Sequence, residues 1–114
     1  MTNPSIPAKT REVFECLKSC ASQMRTVTYK EIAEEVNLAK PGVGRPLGYI
    51  RDDICRARGL PWLSAIVVNT HTDRPGRSFM PEGTTLSDID KELLWRGMVL
   101  QVFAFDWLSV DFDE

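Results

Sequence analysis

Three cysteines, one histidine and a cluster of arginines are the side chains of this 114-residue chain that could do chemistry. Cys16 and Cys20 stand four residues apart, so on a helix they share a face. A zinc site would need two more ligands, and the single histidine, His71, lies far away in a Gly/Pro loop. The cysteines therefore read as buried or half-buried thiols of a reducing compartment, with Cys55 a small packing residue. Ser64 has no histidine beside it and cannot be a triad serine. No residue pattern calls for a metal or a cofactor. What remains is binding chemistry. Lys40, Arg45, Arg51, Arg56 and Arg58 fall within residues 39–59, opposed there only by Asp52 and Asp53. Arg74 and Arg77 follow downstream.

The formal net charge is −2 and the pI is near 5.4. Such a chain does not bind nucleic acid indiscriminately. Its charge is nevertheless split: residues 39–59 are basic, whereas residues 81–114 hold eight acidic groups against two basic ones. A basic stripe on one face can meet phosphates even on an acidic protein. The composition, 43% hydrophobic and 26% charged, is that of an ordinary globular protein. No apolar run approaches the roughly 18 residues of a membrane span. The polar, Pro-containing first ten residues hold no signal-peptide core, which implies a cytoplasmic location and no membrane partner.

The elements that must position these residues can be read from spacing. Val13, Leu17, Cys20, Ala21 and Met24 recur at helical intervals, giving a helix over residues 8–24. Thr28 and Glu31 make a capping box that opens a helix over 28–37, with Ile32, Ala33 and Val36 inward. Residues 40–46 hold two prolines and two glycines, a turn or distorted entry into a helix over 46–58. Leu47, Ile50, Ile54 and Ala57 line its inner face, and Gly59 ends it. Residues 62–69 are apolar and β-branched and read as a strand. Asp73, Arg74, Pro75 and Gly76 make a turn, from which Phe79 and Met80 return as a second strand of a β-wing. Ser87 caps a last helix over 87–105, with Ile89, Leu93, Leu94, Val99 and Val102 inward. An acidic segment, about residues 106–114, carries Trp107, Leu108, Val110 and Phe112, either as a cover for the core or as a docking strip for a protein partner.

A short capped helix, a Gly-rich turn and a second helix are the parts of a helix-turn-helix. Three segments sharpen this: Thr28-Tyr29-x-x-Ile32-Ala33, then Val43-Gly44-x-x-Leu47, then Pro61-Trp62 with Val67-Val68-Asn69. Over about residues 26–97 the chain resembles the DNA-binding domain of alkylguanine-DNA alkyltransferases, and especially the non-enzymatic alkyltransferase-like proteins. The resemblance implies that Tyr29 helps to rotate a nucleotide out of the duplex. It also implies a base pocket, to which Tyr29, Trp62 and Ser64 belong here. The chain departs from the family in two places. Pro41 stands where an arginine precedes the Val-Gly pair. Anchoring on Pro61 puts Trp62 at the reactive-cysteine position; anchoring on Val67, Val68 and Asn69 puts Ser64 there, and we prefer the first. Neither register sets a nucleophile beside a histidine, so alkyl transfer to the protein is excluded and no enzyme is expected.

The sequence thus predicts a single α+β domain over residues 1–114, a small winged helix. Its expected function is non-catalytic binding of double-stranded DNA, including modified or flipped bases. Tyr29, Lys40, Arg45, Arg51, Arg56, Arg74 and Arg77 are the expected DNA contacts. The alternative is a protein-interaction module on a winged helix that has lost DNA binding.

Overall fold

The computed structural model describes residues 6–70, 85 and 87–113, without the side chain of Lys40. Among them are four α-helices and one two-stranded parallel sheet, an α+β arrangement that is mostly helical. The first helix, α1, spans Thr10–Ser22 and buries Val13, Phe14, Leu17, Cys20 and Ala21, as their spacing predicts, whereas Met24, expected in the same stripe, lies beyond the helix and is exposed. It is two residues shorter than expected at each end. Lys9 and Met24, both at positive φ, bound it.

The strand β1, Val27–Thr28, leads directly into α2, Tyr29–Val36. The capping box forms: the Glu31 backbone N–H donates to Thr28 Oγ1 at 3.1 Å, and the Thr28 N–H donates to Glu31 Oε1 at 2.9 Å. Helices α1, α2 and the one ending near Gly59 close in the same way. Met24, Asn37 and Gly59 take the left-handed conformation. The following N–H groups reach back to Cys20, Ala33 and Cys55, at 3.1, 2.9 and 2.8 Å.

A 3₁₀ turn, Lys40–Val43, precedes α3, Gly44–Tyr49. The helix therefore starts two residues before Pro46, which sits in the first turn where its missing N–H is harmless. From Ile50 to Arg56 the winding is π-helical. The i→i+5 pattern adds a residue to the turn and shifts the phase of the inner face. This corrects the expected core face: Leu47, Ile50 and Ile54 are buried, but Cys55 joins them and Ala57 is exposed.

The strand expected over 62–69 is also corrected. Leu63–Ile66 is a 3₁₀ turn, and only Val67–Val68 is extended, as β2. It pairs in parallel with β1, Val27 opposite Val67 and Thr28 opposite Val68. α2 and α3 are the crossover that a parallel pair requires. The expected returning strand at Phe79 and Met80, and with it the wing, lies outside the described residues.

The last helix, α4, spans Asp88–Ala104, with Ser87 Oγ accepting from the Asp90 N–H at 3.2 Å. Its inward face is the expected one only in its second half, where Val99 and Val102 point to the core. Val102 is buried and Trp95, Met98, Val99 and Phe103 pack against the core, while Ile89, Leu93 and Leu94 are exposed. The Trp95 indole N–H sets the phase by donating to the Ala65 carbonyl at 2.7 Å. The C-terminal segment covers the core. Trp107 and Val110 are buried, and Trp107 Nε1 donates to the Val102 carbonyl at 2.8 Å. Lys18 Nζ reaches the Val110 carbonyl, and Arg58 reaches those of Asp111 and Phe112. No described helix is long and apolar enough to cross a membrane.

Candidate nucleic-acid interface

Tyr29 is placed by the ladder. Thr28 sits opposite Val68, so Tyr29 leaves the sheet at the edge where Asn69 follows β2. It is the first residue of α2 and is half-buried against the core. Trp62 lies on the other side of the Leu63–Ile66 turn, as the residue that opens it. The structure thus sets the two aromatics at opposite ends of the segment that leads through β2.

Residues 40–58 carry the basic groups. Arg45, the second residue of α3, is exposed and belongs to none of the ion pairs among the described residues. Gly44 and Gly48 lie beside it one turn apart, and a Cβ at either position would meet nothing within 4 Å. This stretch of helix surface is bare. Lys40 lies in the turn before it, and its side chain is not among the described groups. Arg74 and Arg77 lie outside the described residues.

The π-helical turn gathers the other arginines. Arg51 donates from Nε to Asp52 Oδ1 at 2.8 Å and from Nη2 to Oδ2 at 2.7 Å. Arg56 Nη1 approaches Asp52 Oδ1 at 3.5 Å. The Arg51 hydrogen bonds, more than its charge, hold the Asp52 carboxyl below its usual range, and they raise the Arg51 guanidinium in turn. Arg56 also lies over the Trp62 ring, 5.9 Å from its centroid. Two guanidiniums, one carboxylate and one indole therefore form a single cluster. Arg58 is spent on the C-terminal segment. The sequence set Asp52 and Asp53 against these arginines, and the structure shows that Asp52 is the one that pairs, with Arg51 and with Arg56 four residues on.

Ser64 is buried, and its hydroxyl has no hydrogen-bond partner among the described residues. Cys55, fully buried, is the cysteine of this region; burial, above all, pushes its thiol up to about 11. Such a thiol carries almost no thiolate and is a poor acceptor for an alkyl group.

A concavity of about 370 Å³ lies between α1 and α2 and was not anticipated. Cys16, Ser19, Cys20, Arg25, Glu31 and Glu35 line part of it. Its only sequence signal was the four-residue spacing of the two cysteines. Burial raises both thiols, Cys16 to about 11. No three His, Cys, Asp or Glu side chains among the described residues are placed to hold a metal ion. Set against family models, curated proteins and solved structures, the chain has no match.

Proposed function

We propose that the protein binds double-stranded DNA without catalysing a reaction, through residues 40–58. The observation that carries this reading is Arg45, an exposed cation without an ion-pair partner among the described residues, set beside Gly44 and Gly48. A bare helix surface lets a sugar–phosphate backbone approach, and a guanidinium at its rim can clamp a phosphate. Arg56, half-exposed and only loosely held by Asp52, supplies a second contact. The half-buried Trp62, and the Ser64 hydroxyl with no hydrogen-bond partner among the described residues, support a role in reading a modified or flipped base, with Tyr29 at the neighbouring helix start. The high thiol of Cys55 supports binding without alkyl transfer.

The test is binding to duplexes with and without an alkylated guanine, across a salt series. Two or three phosphate contacts give a log–log slope of about −2 to −3. Trp62→Ala should then weaken binding to the modified duplex more than to the plain one. No measurable binding at low salt would overturn the proposal. A second reading, a protein-interaction module, is favoured by the exposed apolar residues of α4.

A further inference from the structure

The helix α4 is apolar on two opposite faces. One face, with Trp95 and Val102, is packed on the core. The other is a stripe of Ile89, Leu93, Gly97, Leu100 and Ala104, whose successive spacings of four, four, three and four residues keep it on one side of the helix. Ile89 is 74% exposed, Leu93 63% and Leu100 69%, so no described part of the chain covers the stripe. Gly97 adds a separate observation. A glycine inside a helix costs about 1 kcal/mol relative to alanine, yet a Cβ there would meet nothing within 4 Å. Nothing packed within the described chain requires it.

We infer that this stripe is the interface of a homodimer in which two copies of α4 cross antiparallel about a two-fold axis at Gly97. The stripe is self-complementary in that arrangement. Gly97 faces Gly97, and within one residue of that register Ile89 lies beside Ala104 of the second copy, large against small, and Leu93 beside Leu100. The absent side chain lets the two backbones come close. Charge selects the same orientation. Asp88, Asp90, Lys91, Glu92 and Arg96 all precede Gly97, and residues 97–104 carry no charge. An antiparallel pair lays each charged half along an uncharged one and opposes the helix dipoles favourably. A parallel pair would set Asp90, which flanks the stripe, against its own copy. A helix of this length is about 26 Å long. One helix pair of that size buries roughly 800–1,000 Å², at the low end of specific interfaces, the size of a weak, reversible dimer.

Sedimentation equilibrium of the full chain, from about 1 µM to about 1 mM, tests this. The expected result is a reversible rise from the 12.9 kDa monomer toward twice that mass. Leu93→Glu and Leu100→Glu, both at exposed positions, should each weaken association by about 100-fold or more with unchanged circular dichroism, because each buries a charge. Gly97→Ala should weaken it by about 10-fold while leaving the monomer as stable or more so. Gly97→Cys should cross-link to itself on oxidation far faster than Gln101→Cys. A chain that stays monomeric throughout the range would overturn the inference, as would a dimer indifferent to both glutamate substitutions.

Discussion

Arg51 grips the carboxylate of its own chain neighbour, Asp52, with two hydrogen bonds of 2.8 and 2.7 Å. The Arg51 side chain is only 15% exposed. This pair takes one of the expected DNA-contacting arginines out of play and leaves the outward role to Arg45, with Arg56 second.

Replacing Asp52 with Asn should therefore strengthen DNA binding and steepen the salt slope by up to about one unit, since it frees positive charge for phosphate. Arg45→Ala should flatten the slope by about one unit. Arg51→Ala should change it little. Equal effects of Arg45→Ala and Arg51→Ala would contradict this division of labour.

The same pair predicts an acid response. The folded-state carboxyl of Asp52 lies below its ordinary value of 3.8, so its contribution to stability is present above that pH and is lost as pH falls through the lowered folded value. The wild type should lose stability more steeply than Asp52→Asn below about pH 4, as read from denaturant midpoints along a pH series.

The thiols should be slow. With Cys16 and Cys55 raised to about 11 from 9.0, the thiolate population near pH 8 falls by about 100-fold. Iodoacetamide should label them in the folded chain about 100-fold more slowly than in denaturant. DNA carrying alkylguanine should leave the protein mass unchanged. The sign for stability is the reverse of that for Asp52: the contribution of the neutral thiols holds below pH 9 and is lost as pH rises toward 11, because the unfolded chain ionises first. A rapid mass gain on any cysteine would show that burial does not protect it.

Trp107 should hold the C-terminal segment in place. Trp107→Ala should cost about 3–5 kcal/mol of folding stability. Trp107→Phe keeps most of the ring but leaves the Val102 carbonyl with only the longer bond from the Phe105 N–H at 3.3 Å, at a cost of about 0.5–1.5 kcal/mol. A segment that is merely laid on the surface would lose less than about 0.5 kcal/mol in either variant.

Met24 and Gly59 share a left-handed backbone at equivalent helix ends, with φ of 56° and 67°. Only glycine adopts it without strain. Met24→Gly, at an exposed site, should stabilise by about 0.5–1 kcal/mol, and Gly59→Ala should destabilise by about 1 kcal/mol. Thermal melts of the two variants should move in opposite directions.

Elements held by short-range chemistry were legible in the chain. Thr28 and Glu31 define the start of α2 by hydrogen bonds that span only three residues. The α1 stripe and the helix end at Gly59 are likewise set by neighbours in the chain. Other features depended on distant partners. Two-residue strands have no period to read, so β1 and β2 exist only because Val27 meets Val67 across the crossover. The π-turn moved Cys55 inward and left Ala57 exposed, and no composition signal marks such a shift of phase.

For α4, the chain alone settles that a helix forms, that Ser87 caps it and that it is rich in apolar residues. Which side turns inward is settled in three dimensions. A helix apolar on two faces has no preferred side until a specific bond, here Trp95 to the Ala65 carbonyl, chooses one. The arginines follow the same rule. Their number and spacing are evident in the chain, but whether each faces solvent or a carboxylate depends on where the backbone carries Asp52 and the C-terminal carbonyls. Ion pairs are decided by distance in space, which sequence spacing fixes only within a helical turn.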